Sequence, residues 1–159
     1  MPPTRLLRVH VLIDLEWKPE SGGQVTCWEN LAHAARHAEG LHLTLHAQGK
    51  DEKALDLHPR ARLLLHKAVF STKRIPFLQA PAHTDLAPFH PGLAASLTSA
   101  DVIHTTDGFF AYAKTAEKVA GKRKIPLTHS VHTDTASYAR IFYTRFFAKN
   151  TGTCGRAAG

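Results

Sequence analysis

The chain has 159 residues, 43% of them apolar and 21% charged, which is enough for one globular domain with a buried core. No stretch approaches the roughly 18 to 20 unbroken apolar residues of a membrane-spanning helix, and two distant cysteines make no disulfide framework, which favours a reducing, cytoplasmic compartment. The formal charge of +7 suits anionic partners, but the basic residues are dispersed and no nucleic-acid partner is expected.

The opening "MPPTRLLRVHVLIDLEW" has arginines and an apolar run. That run contains His10, ends in Asp14 and Glu16, and lacks a small-residue cleavage site, so it reads as a strand and not a signal peptide. Leu6 to Leu15 is nearly continuous in Val, Ile and Leu, as a strand buried on both faces should be. A loop to Gly23 follows, with Trp17, Pro19, Gly22 and Gly23. From Gln24, apolar residues recur at helical spacing (Val25, Trp28, Leu31, Ala32, Ala35, Ala38), and Gly40 marks the stop. "LHLTLHA" (Leu41 to Ala47) alternates strictly, with the leucines on one face and His42 and His46 on the other, a face expected to be solvated. Strand, glycine loop, helix and strand make a βαβ unit, expected to cross over with the right hand.

Residues 48–60 are polar and predict a loop with a turn or so of helix, before a short strand from Ala61 to His66. Four prolines between Lys73 and Pro91 predict irregular structure with one short strand at most, followed by a brief helix from Leu93 to Ser99. "ADVIHTT" (Ala100 to Thr106) reads as a short buried strand. Asp107 and Gly108 then open a helix to about Val119, with Phe110, Ala113, Ala116 and Ala120 available for one face. The basic run "GKRK" follows that helix, where cations offset the negative end of its dipole. Lys124 to Thr133 predicts a third strong strand, and Asp134 caps a helix carrying Tyr138, Ile141, Phe142 and Phe146. The expected fold class is α/β, a Rossmann-like open and mostly parallel sheet with helices on both faces, over residues 1–149. Residues 150–159 lack any period and read as a flexible tail. Such a sheet would normally continue past the last helix into another strand, so a fragment or truncated reading frame is expected.

In such sheets ligands gather at the carboxyl ends of the strands. Three predicted strand ends lead into "ESGGQ", "HTTDG" and "HSVHTDT". Gly22 and Gly23 would let a helix N-terminus approach an anion without a Cβ in the way, and a plain turn explains them as well. The loop is neither GxGxxG nor a P-loop. Twelve histidines suggest metal, but Ala34 stands where a zincin motif between His33 and His37 needs glutamate, so no metal site is expected. His129 and His132 point to opposite faces of their strand. His132, nearer the strand end, is the better candidate for the cleft, against a hydrogen-bonded loop histidine. No G-x-S-x-G elbow supports a serine hydrolase, and burial beside Trp28 is the simpler account of Cys27.

Taken in order, "SGGQVTCWENLAHAARHAEG", "LHLTLHA", "ADVIHTTDGFFAYAKTAEKVA" and "IPLTHSVHTDTASY" resemble the N-terminal domain of family 4 glycosyltransferases, which have the two-domain GT-B architecture. The resemblance spans about residues 5–147. It implies retaining hexosyl transfer from a nucleotide-diphosphate sugar to a sugar or lipid acceptor, without metal, and the basic charge suits peripheral contact with the inner face of a membrane. Carried over residue by residue, Gly22, Gly23 and Gln24 form the donor-phosphate loop, His132 lies by the transferred sugar, and Asp107 and Thr133 face the acceptor cleft. The family's second domain, with its E-x7-E motif, has no counterpart in this sequence, so the chain alone is expected to be inactive. The alternative is a non-catalytic α/β module for an anionic small molecule.

Overall fold

The computed structural model describes residues 5–71 and 85–131, together with Ser137, Arg140 and Thr144. Among the described residues, nine principal elements run in the order β1 (Leu7–Glu16), α1 (Gly23–Ala34), β2 (Leu41–Gly49), β3 (Lys53–His58), β4 (Ala61–Lys67), α2 (Pro91–Ser96), β5 (Val102–Thr105), α3 (Ala111–Arg123) and β6 (Leu127–His129). They build a six-stranded sheet in the order β3-β4-β2-β1-β5-β6, parallel except for β3, which runs antiparallel to β4. The α/β class and the mostly parallel sheet are as expected. β1 has β2 on one side and β5 on the other, so the chain builds outward from β1 in one direction before crossing to the other. That reversal is the topological switch point at which open α/β sheets hold ligands.

Successive side chains of a strand point to opposite faces. Val11 and Ile13 therefore enter one core with Val25, Ala32, Leu43, Leu45 and Leu63, under α1. Leu12 enters another with Leu93, Leu97, Ile103, Tyr112 and Ala116, under α2 and α3. Helices thus cover both faces, which is why β1 reads as a continuous apolar run. α1 is followed by a 3-10 turn at Ala35–His37, and Gly40 takes φ 75° to end the segment as anticipated. α3 ends on a left-handed Lys124, with Lys122 and Arg123 in its last turn, as the dipole account of "GKRK" requires.

Five expectations need correction. Residues 53–58 form strand β3 and not a loop, because the exposed edge of β4 supplies backbone partners that no local pattern reveals. The strand expected over 124–133 is only Leu127–His129, exposed at every position, since it is an edge strand. Cys27 is exposed: it lies two residues, about 200° around the helix, from the buried Val25. Leu31 is 47% exposed for the same reason, turned about 100° from the buried Ala32. His46 is fully buried, because α2 and α3 cover the face of β2 opposite the leucines. The brief helix expected at 93–99 is α2, continued by a 3-10 turn at Leu97–Ser99. The helix expected after Asp134 and most of the proline-rich stretch lie outside the described residues.

Candidate functional site

The carboxyl ends of β1, β5 and β6 lie side by side, and each leads into one of the three expected loops. β1 passes into a 3-10 turn at Pro19–Ser21, where Ser21 Oγ donates to the Glu16 carbonyl at 2.5 Å and Lys18 pairs with Glu16 at 2.9 Å. The Trp17 amide donates to the Gln48 carbonyl at 3.0 Å, tying the loop to β2. Gly22 follows with φ 92° and ψ −173°, a conformation that side chains strongly disfavour. It is the N-cap of α1 and offers no side-chain cap to the first amides of the helix. A Cβ on Gly22 or Gly23 would meet nothing within 4 Å. The glycine pair therefore answers two needs, a backbone angle closed to other residues and an unobstructed helix N-terminus. Gln24 stands in the first turn, half-buried.

On the other side of the switch point, both the amide and the hydroxyl of Thr106 donate to the Leu12 carbonyl, at 3.2 and 3.0 Å. Asp107 accepts the amides of Phe109 and Phe110 through Oδ1, at 3.0 and 3.3 Å. It thus shapes the turn into α3 while standing half-buried at the edge. Thr105 Oγ1 lies 2.9 Å from His129 Nδ1, and the same imidazole passes 3.6 Å from where a Cβ on Gly108 would stand. His104 faces the opposite side, held by Thr128 and Ser130 at 2.9 Å each and packed against Trp28. Among the described residues, His129 is a histidine at this edge. His132 and Thr133 lie outside the described residues.

Asp14 carries no sequence signal that marks it as a site residue. Its side chain is fully buried at the end of β1, with Oδ1 accepting from the Gln48 amide and Oδ2 without a partner among the described residues. Burial, and then the negative charge of Asp107, push its pKa well above the usual carboxylate range, against the pull of hydrogen bonds from Gln48 and the Tyr112 backbone. Tyr112 Oη is likewise buried and unpartnered among the described residues, and burial raises its pKa too. Stability from the neutral form is present below the ordinary Asp value and lost as pH rises through the folded one. Asp14→Asn should therefore gain stability relative to wild type as pH rises from 5 to 8, measured by urea unfolding; an equal difference at both pH values would contradict the raised pKa of Asp14.

Among the described residues, no group of three or more His, Cys, Asp or Glu side chains is arranged to hold a metal ion. No described helix is long and apolar enough to cross a membrane. Comparison with protein-family models, with curated proteins and with solved structures gives no match to this chain.

Proposed function

We propose that the chain is the acceptor-side domain of a retaining glycosyltransferase that moves a hexosyl group from a nucleotide-diphosphate sugar to a sugar or lipid acceptor. The supporting observation is the uncapped N-terminus of α1 beside the switch point, opened by Gly22 and Gly23. Backbone amides there carry a partial positive charge and suit a diphosphate without any metal. Burial raises the Asp14 pKa and so favours the uncharged form, which would spare that anion a repulsion. Gln24 stands within the first turn to add a side-chain amide, and Asp107 lies across the switch point, on the side assigned to the acceptor. His132 and Thr133 keep the roles that the resemblance gives them.

The test is an amide NMR titration of the chain with UDP, GDP and ADP, and with their glucose conjugates where these exist. Shifts should centre on Gly22, Gly23 and Gln24. Gly23→Asp should abolish them while leaving the fold intact, because an acidic residue suits a helix N-terminus yet repels a phosphate. Shifts elsewhere, or none up to millimolar ligand, would overturn the proposal. Binding of inorganic pyrophosphate with no preference for any nucleotide would point instead to a simple anion-binding module.

A further inference from the structure

The sheet face under α2 and α3 carries three imidazoles in file. His10 on β1, His46 on β2 and His66 on β4 are 4%, 0% and 4% exposed. His10 Nδ1 lies 2.9 Å from His46 Nε2, His46 Nδ1 lies 3.0 Å from His66 Nε2, and His66 Nδ1 lies 3.0 Å from Glu52 Oε2. The strand register produces this file. His46 pairs with Leu12, two residues beyond His10, and His66 pairs with Gln48, two residues beyond His46. Each step moves one strand sideways and two residues toward the carboxyl edge. There the Glu52 side chain, 58% exposed, is steadied by the Lys67 amide at 2.9 Å.

The carboxylate dictates the protons of the whole series. An ionised carboxylate only accepts, so His66 carries its proton on Nδ1 and accepts on Nε2. His46 must then donate from Nδ1 and accept on Nε2, and His10 must donate from Nδ1. Three buried rings share one tautomer, fixed by an exposed group at the end of the line. His90 does not branch the series: its Nδ1 accepts from the Leu93 amide and its Nε2 faces the Lys67 carbonyl. Tyr112 packs edge-on against His66 and His90. The charged and titratable neighbours are Arg8, His42 and Asp101 around His10, and Glu52 and His90 around His66. Burial is the largest influence on all three imidazoles and lowers the pKa of each, favouring the neutral rings.

We propose that His10, His46 and His66 form a proton relay through the interior of the sheet that ends on Glu52 at its carboxyl edge. A hydronium ion of the solvent gives a proton to His10 Nε2 and becomes water, as the Nδ1–H bond of His10 breaks and His46 Nε2–H forms. The Nδ1–H of His46 passes to His66 Nε2, and that of His66 to Glu52 Oε2. One proton enters and one arrives on the carboxylate, leaving the rings neutral in the Nε2–H tautomer and Glu52 a carboxylic acid. Glu52 can then give that proton to a ligand or to water at the edge, and the reverse passage resets the series. This assignment stands independently of the glycosyl-transfer proposal.

Imidazole nitrogen NMR of the whole chain tests it. In wild type the three rings should rest protonated on Nδ1, with His90 protonated on Nε2 as an internal control. The Nδ1–H of the buried His46 should exchange with solvent at least about tenfold faster than the β2 amides around it, because the relay needs no local opening. Glu52→Gln can still accept a hydrogen bond but cannot take a proton, so it should keep the tautomers and slow that exchange about tenfold, toward the rate set by local opening. Glu52→Ala removes the acceptor and should shift the tautomer of His46, a strand away. An Nε2–H ground state for His46 in wild type, or exchange no faster than the β2 amides, would overturn the relay.

Discussion

Acidification from pH 7 to 4.5 is expected to destabilise the protein more steeply than it does a His10→Asn variant. Burial, followed by repulsion from His42 and Arg8 and opposed by Asp101, holds the His10 pKa down from 6.5 to about 4. The unfolded chain takes up this proton near the ordinary value, and the native protein resists until about 4. Between those values the unfolded state binds more protons, so stability falls as pH falls. A shift of this size, 6.5 − 4 or about 2.5 units, corresponds to roughly 3 kcal/mol from His10 alone. His46 and His66 are displaced in the same direction by burial and steepen the decline. Asp14 acts with the opposite sign and partly offsets the loss. Urea midpoints at several pH values measure the effect, and equal declines in wild type and His10→Asn would refute it.

Leu45→Ala is expected to cost about 2–5 kcal/mol, a large share of a domain's stability. Leu45 is fully buried between β2 and α1, among Val11, Ile13, Val25 and Leu63, where a lost side chain leaves a cavity. Leu31→Ala on α1 should change stability by no more than about 0.5 kcal/mol, because Leu31 is 47% exposed. Both leucines fall on an apolar period of the sequence, so the contrast tests the packing and not the pattern. Comparable losses at the two positions would show that α1 sits differently on the sheet.

The sequence alone settled the class of the fold, because period is a local property. The continuous run of β1, the helical spacing from Val25 to Ala35, the alternation of β2 and the stops at Gly40 and after α3 all follow from residues within one element. It also marked the loops at the carboxyl ends of β1, β5 and β6, since Gly22, Gly23, Asp107 and Gly108 carry their turn chemistry with them. Tertiary structure decided the rest. Strand β3 exists because β4 offers it a backbone edge, and β6 stands exposed at the end of the described sheet. The alternation of β2 fixed two faces but could not say that helices cover both, so His46 reads as a surface residue and is buried. Asp14 sits in an apolar run like any strand-ending carboxylate, and only tertiary burial and the charge of Asp107 raise its pKa, against the hydrogen bond from Gln48. Burial and register arise between segments far apart in the chain, and they place the glycine loop, the buried carboxyl and the imidazole file on one sheet.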